Sequence, residues 1–228
     1  MSNNYILCID ASVQIASVSL ANNQQLVAIK KCTEQKEHAA FIQPAIQELL
    51  AQQQISSSQL AAIAVTAGPG SYTGLRVAMA SAKGLCYALQ IPLITINTLY
   101  VMTVAAKAQY PHEVLFCPLI DARRMEVFTA VYTYALETVL EPQALILDDK
   151  SFDTFLSKHT VCFFGNGSAK WQQLCSHTNA RFPEIAWDAS TMITPAWQMF
   201  TDKEFASLAY AAPFYLKEFQ STSKPANI

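Results

Sequence analysis

The sequence predicts an α/β protein of two similar lobes, each with the element order β-β-β-α-β-α. Three observations lead there. Short apolar runs of strand character come in threes ahead of a helical pattern, a strand and a second helix complete each set, and the order restarts beyond residue 110. At 228 residues the chain is too long for one minimal domain and too short for three. Lobes over residues 1–100 and 101–228 are expected.

In the first lobe, strands are expected near Tyr5 to Asp10, Ile15 to Leu20 and Leu26 to Lys31, followed by a helix from His38 to Gln52. A strand from Ala61 to Thr66 and a helix from Thr73 to Leu89 complete it. A connecting strand, Leu93 to Ile96, leads to a helix capped by Asn97 or Thr98. The second lobe repeats the order with strands at Val114 to Ile120, Glu126 to Tyr132 and Ala144 to Leu147. Ser151 is placed to cap a helix ending near Lys158, Val161 to Phe164 reads as a strand, and Ser168 as the cap of the next helix. The last helix should take Thr194 as its N-cap with Pro195 at the first helical position, run to about Ala209 and pack back on the first lobe. An extended piece, Pro213 to Phe219, should then cross the lobes.

The run Gly68-Pro69-Gly70-Ser71-Tyr72-Thr73-Gly74-Leu75-Arg76 joins the fourth strand to the second helix. Its glycines allow tight turns and close backbone approach. The spacing is one residue off the dinucleotide fingerprint, and no Gly-Lys-Ser/Thr follows for a phosphate loop. It reads as a structural turn. Together with Ile6-Leu7-Cys8-Ile9-Asp10-Ala11-Ser12, Ile96-Asn97-Thr98-Leu99, the stretch Leu119 to Phe128 and Gly165-Asn166-Gly167-Ser168, it resembles the TsaB (YeaZ) family over about the whole length. Members of that family help place threonylcarbamoyl on adenosine 37 of tRNA, the t6A modification.

Tandem β-β-β-α-β-α lobes are the pattern of the actin, Hsp70 and sugar-kinase (ASKHA) superfamily, to which the resemblance also points. In that fold a nucleotide lies between the lobes, held by a hairpin turn of each, so the nucleotide candidates are Asp10 and Ser12, Asp121 and Arg123, and Gly165 and Gly167. The hairpin after Asp10 has no glycine to let amides reach phosphate. Asp10 is therefore open to two readings: a residue that positions metal-bound water, or a strand-end carboxylate that accepts hydrogen bonds from its turn. Asp121 and Arg123, two apart on an extended chain, either orient an anion or pair with each other and the turn. Gly165, Gly167 and Ser168 suit either an adenosine site or a capped strand-to-helix junction.

Other chemistry finds little support. The sister family TsaD binds metal through an Asn-His-x-x-Gly-His stretch, and the resembling stretch here, Asn97 to Met102, has Thr98 and Met102 at the histidine positions. The four histidines are scattered, so no metal site is expected. There is no Gly-x-Ser-x-Gly, nothing nominates a base for Ser71, and the six cysteines lack CxxC spacing and read as buried thiols in a reducing compartment. With 15 basic against 17 acidic residues and a net charge of −2, the chain carries no field for nucleic acid. No apolar run is long enough for a membrane span, and a cytoplasmic protein is expected.

The helix after the glycine run carries an apolar stripe, Leu75, Ala78, Met79, Ala82, Leu85, Cys86 and Leu89, for the sheet. Its other side is built of small residues. Tyr72, Arg76, Val77, Ala80, Ser81, Gly84 and Ala88, with Phe41, Pro44 and Ala45 of the first helix, are the expected partner surface; packing of the two helices on each other accounts for part of it. The resemblance implies pairing there with TsaD, or with a second copy. It further implies TsaE as ATPase, TsaC as supplier of threonylcarbamoyl adenylate, and tRNA contact only through the complex. No cofactor is expected for the isolated chain, with ATP admitted at the complex interface. The expected role is a non-catalytic scaffold; an autonomous kinase or ATPase of the same fold is the alternative, and a peptidase fits least.

Overall fold

Alternating apolar residues build the first strand, β1 (Tyr5–Asp10): Leu7 and Ile9 point to one face of the sheet, Ile6 and Cys8 to the other, and all four are buried. A computed structural model describes residues 4–34, 37–110 and 114–217. After β1 come β2 (Ala16–Asn22), β3 (Gln25–Cys32), α1 (His38–Gln52), β4 (Leu60–Gly68), α2 (Tyr72–Leu89), β5 (Leu93–Asn97) and α3 (Thr98–Gln109). The second set is β6 (Leu115–Asp121), β7 (Glu126–Tyr132), β8 (Thr138–Ile146), α4 (Asp153–Leu156), β9 (Val161–Phe164), α5 (Ser168–Gln172), β10 (Ala180–Arg181) and α6 (Ile193–Asp202).

The two sheets share one plan. Their strand orders are β3-β2-β1-β4-β5 and, read in the corresponding direction, β8-β7-β6-β9-β10. In each, the first three strands form an antiparallel meander, and the fourth and fifth run parallel to the first. The duplicated α/β architecture expected from the sequence is present.

Each sheet is covered on both faces. Helices α1 and α2 pack on one face of the first sheet, with Ile42, Ile46 and Leu49 meeting Ala78, Met79 and Ala82 in a common core. Trp171 of α5 and Leu156 of α4 do the same for the second. The inner faces are exchanged: α3, which follows the first set, buries Leu99, Met102 and Ala106 against Phe116 and Ile120 of β6. Helix α6, which follows the second, buries Ile193 and Ala196 against Ile6, Cys8 and Ile94. Beyond α6, Ala206 bridges to Leu93 and the Phe214 N–H donates to the Ala67 carbonyl at 2.6 Å, while Lys217 pairs with Glu126 at the tip of β7. The end of the chain thus straps one set to the other. Glu218 and Phe219 lie outside the described residues.

Strand β10 was not expected, and four further elements differ from expectation. Strand β8 begins six residues before Ala144 and runs through Pro142, because β8 is an edge strand, where a residue without an N–H is tolerated. Ser151 does not cap α4, because its hydroxyl donates to Asp148 Oδ1 at 2.9 Å and accepts from the Asp148 N–H at 3.0 Å. Ser168 likewise donates to the Gly165 carbonyl at 2.7 Å, and Gly167 takes the cap position. Helix α6 starts before Thr194 because Asp188 caps a 3-10 turn, Ala189–Met192, that runs straight into it. Pro195 then falls within the first turn, where its missing N–H breaks no helical bond. Lys203, at φ 60°, ends α6 well short of Ala209.

Candidate functional site

The glycine run closes over the first hairpin. Ser71 donates its N–H to the Ser12 carbonyl at 2.7 Å and, with its hydroxyl, accepts from the Gly74 N–H at 3.3 Å, which makes it the N-cap of α2. A Cβ at Gly70 would lie 2.1 Å from the Ser12 carbonyl oxygen, and one at Gly74 only 2.0 Å from that of Ala11. These glycines exist so that two backbones can touch. Substitution Ser71→Ala is expected to lower stability by about 1 kcal/mol through the lost cap, read by urea unfolding. An unchanged unfolding curve would mean that the hydroxyl does not cap α2.

Under this lid, Asp10 is 1% exposed. Its Oδ1 accepts from the Ser12 N–H at 2.9 Å, the Ser12 hydroxyl at 2.6 Å and the Thr66 hydroxyl at 2.8 Å. Burial raises the Asp10 pKa, and the three hydrogen bonds offset this only in part. Of the two readings of Asp10, the strand-end acceptor is the one its surroundings match. Thr66, 56 residues away, was invisible as a partner.

This geometry predicts a pH effect. A raised folded-state pKa means that the stability Asp10 contributes is complete below its unfolded value of about 4 and is lost as pH rises through the folded value. Asp10→Asn keeps the Oδ1 acceptor without the charge, so urea unfolding at a series of pH values should show the wild type losing stability relative to this variant as pH rises above about 4, the unfolded value. Asp10→Ala strands the Ser12 and Thr66 hydroxyls and should cost about 2–4 kcal/mol.

The second lobe repeats the closure. Gly165, at φ 95°, approaches Leu119, Gly167 donates its N–H to the Leu119 carbonyl at 2.9 Å, and Asn166 Oδ1 accepts the Asp121 N–H at 2.9 Å. Asp121 and Arg123 do not pair as an extended chain would place them. Arg123 and Arg124 take φ 68° and 50°, and Arg123 bonds to Asp121 through its backbone N–H at 2.6 Å. The cation on Asp121 is Lys170 of α5, at 2.7 Å. Desolvation works against the Asp121 carboxylate, but the Lys170 hydrogen bond and the Arg123 N–H outweigh it and hold its pKa below the ordinary value. Nothing local in the sequence pointed to Lys170, 49 residues away.

A phosphate grip does not fit these hairpins. Asp10 is walled in, and the amide of Asp121 and the close-approach faces of Gly70, Gly74, Gly165 and Gly167 are all taken by the chain itself. Burial pushes the thiols of Cys8 and Cys162 up to about 12 and that of Cys86 to about 11, away from nucleophilic use. Among the described residues, no group of His, Cys, Asp and Glu could hold a metal ion, and no helix is long and apolar enough to cross a membrane.

The outward face of α2 contrasts with these closed sites. Ala80, Gly84 and Ala88 are exposed, a Cβ at Gly84 would meet nothing within 4 Å, and Tyr87 beside them is 72% exposed. Val77 and Ser81 are half-buried, and Arg76 lies over the Tyr72 ring, on which Tyr215 of the strap also packs. Pro44 of α1 is exposed and Phe41 half-buried. Ala45, 2% exposed, belongs to the core between α1 and the sheet and offers no surface. Lys83 is occupied as well, donating to the Ala211 carbonyl of the strap at 2.8 Å.

Two sheets on one plan, with a hairpin and a strand-to-helix loop meeting in each, define the actin, Hsp70 and sugar-kinase class of α/β proteins. An activator of 2-hydroxyisocaproyl-CoA dehydratase from Clostridium difficile, solved with ADPNP bound, shares this fold: its TM-score is 0.52 over 88% of this chain and 97% of that one, at 7% identity. A family model for TsaD, tRNA N6-adenosine threonylcarbamoyltransferase, matches residues 32–222. The tRNA threonylcarbamoyladenosine biosynthesis protein TsaB of Escherichia coli K12 is 30% identical over 226 residues, covering 93% of this chain and 94% of that one. TsaB of Bacillus subtilis 168 is 29% identical over 224 residues, 96% of each chain. A Pseudomonas aeruginosa protein, uncharacterized but similar to the peptidase YEAZ, superposes with a TM-score of 0.83 over 94% of this chain and all of that one, at 22% identity. The chain belongs to the TsaB family, within the wider family that the TsaD model describes.

Proposed function

We propose that this chain serves threonylcarbamoyladenosine biosynthesis on tRNA as a non-catalytic scaffold and activator that heterodimerises with a TsaD transferase. The observation that carries the pairing is the exposed face of α2, where Ala80, Gly84 and Ala88 leave room for another helix at backbone distance. A solvated face normally carries Glu, Lys and Gln, and Gly84 sacrifices about 1 kcal/mol of helix propensity. The scaffold role is supported by the self-closed hairpins, which turn the parts of a nucleotide site into packing contacts. In this reading the TsaE ATPase joins the complex, tRNA meets the chain only through it, and any ATP lies at a subunit boundary. Without TsaD, the same face pairs with a second copy.

Gel filtration with light scattering tests this, using the chain alone and mixed with the TsaD homologue of the same genome, with and without ATP. A stable heterodimer is expected. A chain that ignores that partner yet hydrolyses ATP unaided would overturn the proposal in favour of an autonomous ATPase.

A further inference from the structure

On the side of the molecule away from α1 and α2, an open groove of about 620 Å³ runs between α6 and β8, with the start of α3 at its base. That volume is in the range of small-ligand clefts. Its polar walls have one sign. Glu141 of β8, Asp202 of α6 and Glu204 just beyond it line the groove, and the lining contains no Lys, Arg or His. None of the four ion pairs among the described residues involves these carboxylates.

A second observation is independent of the acids. Tyr132 lines the groove yet is only 3% exposed, and among the described residues its hydroxyl has no hydrogen-bond partner. Its ring meets that of Tyr100, another lining residue, edge-on at 6.1 Å between centroids. Burial first, then the charge of Glu141 and the neighbouring Tyr100 hydroxyl, raise the Tyr132 pKa, so the phenol stays protonated. The ring is buried while the hydroxyl is left to the groove, where a ligand can supply its hydrogen bond.

We propose that this groove binds an organic cation, a primary ammonium or guanidinium group, with Glu141 and Glu204 as counter-charges and Tyr100 and Tyr132 supplying ring faces and a hydroxyl. Carboxylates attract the cation, aromatic rings hold it at their faces, and the hydroxyl oxygen accepts one of its N–H groups. The same acids repel phosphate, which separates this groove from any nucleotide site. The cation is either a free amine or a basic side chain presented by a peptide.

The test titrates the full chain with agmatine, with spermidine and, separately, with an end-blocked hexalysine peptide, by calorimetry and by amide shifts of the Gln198 side chain, which lines the groove. Saturable binding is expected, weakened about tenfold or more by Glu141→Gln combined with Glu204→Gln and severalfold by Tyr132→Phe. Asp153→Asn, on α4 far from the groove, should change nothing. Binding by the small amines alone identifies a free amine, and binding by the peptide alone identifies a protein side chain. No saturation up to about 10 mM, weaker than any useful site, overturns the proposal. So does binding that both groove variants leave unchanged while their unfolding curves stay normal.

Discussion

Replacing Gly74 by alanine is expected to destabilise the chain by about 3–5 kcal/mol, at the far end of what single substitutions do. The added methyl would sit 2.0 Å from the Ala11 carbonyl oxygen, a backbone atom held by β1 and its turn. No flexible side chain can move aside, so either the start of α2 or the end of β1 must shift. Both are anchored in the core through Leu75 and Ile9. Thermal unfolding should show a loss of roughly 6 °C or more for a chain of this length. A change within about 0.5 kcal/mol, the range of ordinary surface substitutions, would mean that the glycine run does not clamp the hairpin. Gly84→Ala is the internal control, because its new methyl meets nothing within 4 Å and should stabilise α2 by about 0.5–1 kcal/mol.

On the proposed pairing with TsaD, Gly84→Arg should leave the monomer folded and weaken association by about 100-fold or more, as a central contact is sterically blocked. The monomer tolerates the side chain because Gly84 is exposed on α2. A partner helix packed at backbone distance would not. Light scattering of the mixed proteins reads the outcome, and an unchanged melting curve for the variant alone shows that folding is intact. Unaltered association would move the partner surface off this face of α2.

The fold was legible where the signal is local. Helix α1 over His38–Gln52 and strands β1, β7 and β9 carry enough periodicity and flanking turn chemistry to be bounded from sequence. Elements were misplaced where several local cues compete or where the place of a strand in its sheet decides. Strand β8 runs through Pro142 because it is an edge, Ser151 is drawn to Asp148, and α6 takes its cap from Asp188, before the threonine that looked suited to the task.

The candidate site divides in the same way. The glycine run, Asp10, Asp121 and the Gly165–Gly167 pair could be singled out from residue type and position alone. So could the small-residue face of α2, since which residues share a helix face follows from the sequence interval. Their roles were decided by partners far away along the chain: Thr66 on Asp10, Lys170 on Asp121, and the Phe214 strap on Ala67. The physical reason is the range of the interactions. Hydrophobic periodicity and capping act within a few residues and are written in order along the chain. The hydrogen bonds that closed the two hairpins, and the burial that raised the Asp10 pKa, exist only once β1, β4 and α2 of the first set, and β6, β9 and α5 of the second, have been brought together.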